Sequence, residues 1–177
     1  MKAYVLIFLL LLVPTLTAAA DGIDQAVQLY QRGQFHKAVD LLSERSQSSP
    51  KDPEVRLWLG KSLLKIQKWD DAVHQMEKAV ELVSNDAVYY LWLGRAYGAR
   101  ASHSSFLTAL SWAKKVVRAF EIARQLAPDN LDVCFDLMDF YLHAPGLVGG
   151  GRDKADAEAA AIANINPAAG YTARALI

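Results

Sequence analysis

The chain has 177 residues, enough for one domain with a sizeable core. Its 19 basic residues balance 19 acidic ones. That balance argues against a nucleic-acid binder, which needs a basic surface to displace counterions from phosphates, and it gives no support for a polybasic membrane patch.

The N-terminus reads as a targeting segment rather than as part of the fold. Met1-Lys2 is a short positive start, and the apolar run "AYVLIFLLLLV" follows. Pro14 breaks the run, and Ala18-Ala19-Ala20 fits a small-residue cleavage site. The expected leader is 1–20 and the mature chain starts at Asp21; retention as an anchor is the alternative. No cysteine follows the apolar run, so this is not a lipoprotein signal. Cys134 is the single cysteine, so an exported chain must hold together by packing alone. There is no N-x-S/T sequon. Both features fit bacterial export, to the periplasm or the medium.

Beyond the leader, "LWLG" occurs at 57–60 and again at 91–94. Aligned on that interval, the chain divides into segments 21–52, 53–86, 87–130 and 131–169, with a tail 170–177. Segment two carries Gly60, Leu63, Ala72, Met76 and Ala79 in frame. Segment three carries Tyr90, Gly94, Tyr97, Phe120, Ala123 and Pro128. Segment four carries Leu137, Tyr141, Ala155 and Pro167, and the degenerate first segment keeps Gly33, Phe35, Ala38 and Pro50. Each segment predicts two antiparallel helices, the first of them short in segment one. Small residues such as Gly60 and Gly94 let the second helix approach the first, and prolines stop the second. One such hairpin cannot bury its own apolar face, so stacking is required.

On these residues the chain resembles the tetratricopeptide-repeat family over nearly all of 21–177. The segments "YGARASHSSFLTALSWAKKVVRAFEIARQLAPDN" and "FYLHAPGLVGGGRDKA" are similar to small exported bacterial members. The resemblance implies an all-α solenoid of about four helix-turn-helix repeats with a short C-terminal cap. It also implies a non-enzymatic role in binding a protein or peptide, with no cofactor. It places the ligand surface on the first helix of each repeat. Leu57, Lys61 and Lys65 then come from repeat two, Leu91 and Arg95 from repeat three, and Phe135 and Asp139 from repeat four. An apolar groove with cations on one side suits an extended peptide with an acidic group. It does not match the Asn-containing clamp of repeat domains that bind chaperone C-termini.

Two segments depart from the period. Repeat three is about ten residues too long. Its first helix is expected to run to about Arg100. A continuous amphipathic helix follows from near Ser105, through Phe106, Leu110, Ala113, Phe120 and Ala123. The taller hairpin can pack on itself or offer Phe106 and Trp112 to a partner. Repeat four is stretched by "PGLVGGG". A phosphate loop is excluded, because no strand precedes the glycines and no Ser or Thr follows Lys154. Successive glycine N–H groups at a helix start can still hold an anion. His143, Gly149, Gly150, Gly151 and Arg152 are therefore a possible anion loop, the basis of an alternative small-ligand role. Histidines 36, 74, 103 and 143 have no metal spacing, no nucleophile sits in a catalytic context, and a buried Cys134 acts as a small hydrophobe. The expected partners are a protein or peptide, with no nucleic acid, and no membrane once the leader is removed.

Overall fold

The computed structural model describes residues 15–177, with side-chain surroundings from Ile23 onward. Residues 1–14, which hold Lys2 and the apolar run of the expected leader, lie outside the described residues. The described chain is all helical: α1 (Thr15–Gln31), α2 (Phe35–Ser48), α3 (Pro53–Lys65), α4 (Trp69–Leu82), α5 (Ala87–Ser102), α6 (Phe106–Leu126), α7 (Leu131–His143), α8 (Arg152–Ile165) and α9 (Pro167–Leu176). Each odd helix packs on the even helix that follows it, and each even helix packs on the next odd one. α1 also touches α3, and α3 touches α5. The result is a row of stacked hairpins with the odd helices sharing one face.

Local chemistry sets the boundaries. The Asp52 carboxylate accepts from the N–H groups of Glu54 and Val55, and Pro53 occupies the first helical position of α3. Asp86 caps α5 through Val88 N–H, Asn130 caps α7 through Val133 N–H, and Asn166 caps α9 through Ala169 N–H. Asn166 and Pro167 together start α9 three residues before the expected cap at 170, because an Asn-Pro pair stops one helix and opens the next. In α1, the first helix of repeat one, Ile23, Ala26, Leu29 and Tyr30 reach the core. The helix begins at Thr15, upstream of the expected cleavage point.

The even helices lack side-chain caps and rely on turn geometry. Gly33 and Gln67 are 34 residues apart and both have positive φ, 74° and 62°. Their N–H groups donate to the carbonyls of Tyr30 and Leu64, and the next residues donate to Leu29 and Leu63. The same turn is thus built twice, once with glycine and once with a side chain that disfavours it.

The hairpins close where glycine meets a large side chain. A Cβ on Gly60 would lie 2.6 Å from the Met76 methyl, and one on Gly94 would overlap the Phe120 ring. Between hairpins, the Tyr97 hydroxyl donates to Glu77 at 2.8 Å and the Tyr141 hydroxyl donates to Glu121 at 3.0 Å. Burial, followed by the carboxylate partner, raises both phenols well above their ordinary range.

Three stability measurements check these contacts. Gln67→Gly relieves the left-handed strain and is expected to raise stability by about 0.5–1 kcal/mol in denaturant unfolding. Gly94→Ala forces Phe120 from its place and is expected to cost about 1–3 kcal/mol in the same assay. The raised phenols add stability that is complete below an ordinary tyrosine pKa of ~10 and fades as pH climbs above it. A pH series of unfolding should show this loss in the natural chain, and Tyr97→Phe with Tyr141→Phe should flatten it.

Candidate functional site: an aromatic row on the odd-helix face

The residues that project from the shared odd-helix face form one connected row. Tyr30 of α1 meets Trp58 of α3 edge-on, with ring centroids 5.5 Å apart. The Lys61 ammonium sits 3.7 Å from the Trp58 centroid, 4.4 Å from that of Trp92 and 5.8 Å from that of Tyr30. Three helices therefore surround one cation with π faces. Burial, and then the neighbouring Arg95 charge, push Lys61 below its ordinary pKa range. Among the described residues no carboxylate pairs with it.

Arg95 continues the row from α5 to α7. Its guanidinium lies 4.8 Å over Trp92, its Nε donates to Asp136 at 2.6 Å, and Asp132 is 3.9 Å away. Two of the three groove cations expected from sequence thus differ: Arg95 is occupied by acids of the next repeat, while Lys61 is held only by rings.

The other expected groove residues are distributed unevenly. Leu57 and Leu91 are buried in the core and support the face from beneath. Phe135 is half-buried against the same core. Lys65 is exposed at the end of α3. Asp139 turns to His143, its i+4 neighbour, at 3.1 Å and does not meet Arg95. Tyr30, Trp58, Trp92 and Asp136 were not anticipated. The signal for two of them is in the motif that revealed the period: Trp58 and Trp92 are the tryptophans of "LWLG".

The long third hairpin has the predicted boundaries, with Ser105 before α6. Phe106 is 70% exposed at its tip, and Leu107 beside it is 78% exposed. Trp112 is half-buried, its ring 5.6 Å from Tyr97 and its face 4.7 Å from the Lys115 ammonium. It fills the hairpin rather than standing free as an anchor.

The glycine loop is consumed by its own hydrogen bonds, which corrects the anion reading. Gly149 N–H donates to Gly146, Gly150 N–H to Pro145, and Gly151 N–H to Tyr141, all at backbone carbonyls. No donor of the three glycines is left to cradle an anion. Gly149 takes φ +101°, and a Cβ on Gly150 would lie 1.8 Å from the Ala144 carbonyl oxygen, so both positions require glycine. The loop drives Val148 into the core at 3% exposure. Arg152 reaches the other way, to the Ile177 backbone oxygen at 2.7 Å, beside a cleft of about 290 Å³ between α8 and α9. The His143 ring accepts or donates at Asp139, not at the loop. Gly150→Ala is expected to lower stability by about 1–3 kcal/mol in thermal unfolding, because the backbone itself obstructs a methyl. Gly151→Ala, with open space around it, should stay within about 0.5 kcal/mol of the natural chain.

Stacked two-helix hairpins with this period define the helical-repeat solenoids. The family model for the anaphase-promoting complex, cyclosome, subunit 3 matches residues 24–79. The fold is similar to that of TTC0263, a thermophilic tetratricopeptide-repeat protein of Thermus thermophilus, at 21% identity over 84% of this chain and 75% of that one, with a TM-score of 0.71. MamA from Desulfovibrio magneticus superposes over 85% of this chain and 76% of its own, with a TM-score of 0.68 at 18% identity. The second repeat domain of human RPAP3, solved with the HSP70 peptide SGPTIEEVD, matches over 70% of this chain and 95% of its own at 18% identity, with a TM-score of 0.59. No curated protein matches the sequence significantly. The chain is a tetratricopeptide-repeat protein in fold.

Proposed function

We propose that the chain is an exported, non-enzymatic interaction module whose odd-helix face binds an extended segment of a partner protein. One observation carries this reading: a half-buried ammonium, Lys61, is enclosed by Tyr30, Trp58 and Trp92 and has no carboxylate of its own among the described residues. Such an arrangement offers flat apolar surface for a partner's side chains and an unneutralised cation for an acidic group. A carboxylate arriving at Lys61 gains a charge-assisted hydrogen bond in a partly desolvated place. Solved relatives in fold, such as the RPAP3 domain with its acidic HSP70 peptide, support the general mode. Export through the leader 1–20 is part of the same reading, and the mass of the chain recovered from its host is expected to correspond to a start at Asp21.

Proximity labelling in intact host cells, followed by titration of the recovered partner, tests the face. Trp58→Ala with Trp92→Ala is expected to weaken binding at least about tenfold, as loss of central aromatic anchors does elsewhere. Lys61→Gln should weaken an acidic segment selectively and leave its Asn/Gln counterpart unchanged. A partner list and affinity untouched by both variants, with helicity intact, would sink the proposal.

A further inference from the structure

The two departures from the repeat period both involve α6, and neither serves the aromatic row. Met76 and Phe120 occupy equivalent places opposite Gly60 and Gly94. On that register α6, with 21 residues, has seven more at its start than α4, with 14, while Trp69 at the start of α4 stacks on His103 of the α5–α6 turn with ring centroids 4.6 Å apart. The tip of α6 presents Phe106 and Leu107; the turn of repeat four packs on α6 further along, at Val117, and leaves Leu147 65% exposed there.

Charge is segregated along this hairpin. Residues 87–120 contain no Asp or Glu, but include Arg95, Arg100, Lys114, Lys115 and Arg118. The neutrality of the whole chain therefore conceals a strongly basic third hairpin balanced by acids elsewhere. Arg95, Arg100 and Lys115 are engaged by Asp136, Asp70 and Glu77. Lys114 and Arg118 are exposed and carry no ion pair among the described residues. With Leu107 they follow one helical stripe at steps of seven and four. Acids do approach the turn before Phe106: Asp70, at the start of α4, pairs with Arg100, whose guanidinium also donates to Ser104, so that charge is matched within the hairpin.

We propose that this hairpin tip docks reversibly on an anionic bilayer surface. Phe106 and Leu107 enter the interface, and Lys114 and Arg118 meet lipid phosphates. The spacing fits that occupant. Seven residues of helix separate Leu107 from Lys114, about 10 Å, comparable to the depth to which apolar side chains enter the headgroup boundary. Apolar tips that project singly, with cations behind them, suit a fluid interface better than the shaped pocket a protein partner would require. Among the described residues no helix is long and apolar enough to cross a membrane, so the contact is peripheral. The expectation of no membrane contact rested on net charge alone, and its distribution reverses that argument.

The test must be blind to any contribution from the leader. An environment-sensitive dye is placed on the full chain at Phe106→Cys, with Lys51→Cys as a control site on a turn between hairpins. Cys134 is buried and is left in place. Vesicles of phosphatidylcholine with phosphatidylglycerol are expected to blue-shift the dye at 106 and not at 51, and pure phosphatidylcholine vesicles to shift neither. Lys114→Gln with Arg118→Gln should weaken the shift's vesicle dependence about thirtyfold, the worth of two cations near an anionic surface. Thermal unfolding of the variants verifies the fold. The proposal is overturned by no shift on anionic vesicles, by an equal shift at 51, or by a shift that persists in the double variant. An acidic protein partner at this tip would give the first of these results. Peptide binding at Lys61 is read separately and is unaffected by either outcome.

Discussion

The structure depends on how closely two helices approach when one of them offers no side chain. At Gly60 and Gly94 the first helix of a repeat presents bare backbone, and Met76 or Phe120 lies directly on it. That contact fixes the register of each hairpin. Register then decides which side chains face the next hairpin and which face outward. The Tyr97–Glu77 and Tyr141–Glu121 hydrogen bonds follow from it, because each joins a first helix to the second helix of the preceding repeat at the same relative height. The aromatic row follows as well. Trp58 and Trp92 lie two positions before Gly60 and Gly94, so the glycine that sinks into the hairpin leaves the tryptophan on the shared face.

Much of this was legible in the amino-acid order. The 34-residue interval, the Asp or Asn before α3, α5, α7 and α9 and the small residues in frame all act locally or at fixed spacing, and a sequence displays such features directly. The long third hairpin was also readable, because its apolar stripe continues unbroken through the insertion. The candidate site was harder. Leu57 and Leu91 belong to apolar positions that could face either the core or the groove, and only packing against the adjacent hairpin buries them. Lys61 and Arg95 occupy equivalent places but differ in their neighbours. Arg95 meets Asp136 of the next repeat, and no local pattern reveals that pairing. Trp112 resembles a surface anchor in sequence, yet it folds onto Tyr97 because the preceding turn brings α5 alongside.

The glycine loop shows how composition can suggest the wrong chemistry. Consecutive glycines before a helix have the donors an anion requires, but those donors are free only when the loop has no nearer acceptors. Here Pro145, Gly146 and Tyr141 supply them. The loop's outcome is mechanical: it lets Val148 reach the core and carries Leu147 outward.

The core itself is divided. One apolar cluster runs from Ala26 to Ala72, and a second from Leu57 to Ala173. They meet in the second hairpin: α3 gives Val55, Leu59 and Leu63 to the first and Leu57 to the second, and α4 gives Ala72 to the first and Val73 and Met76 to the second. In a chain whose repeats touch only their neighbours, cooperativity is passed from hand to hand. The two ends of the solenoid are therefore joined thermodynamically through one hairpin, α3 with α4, and evolution can vary either end without disturbing the other so long as that hairpin is kept.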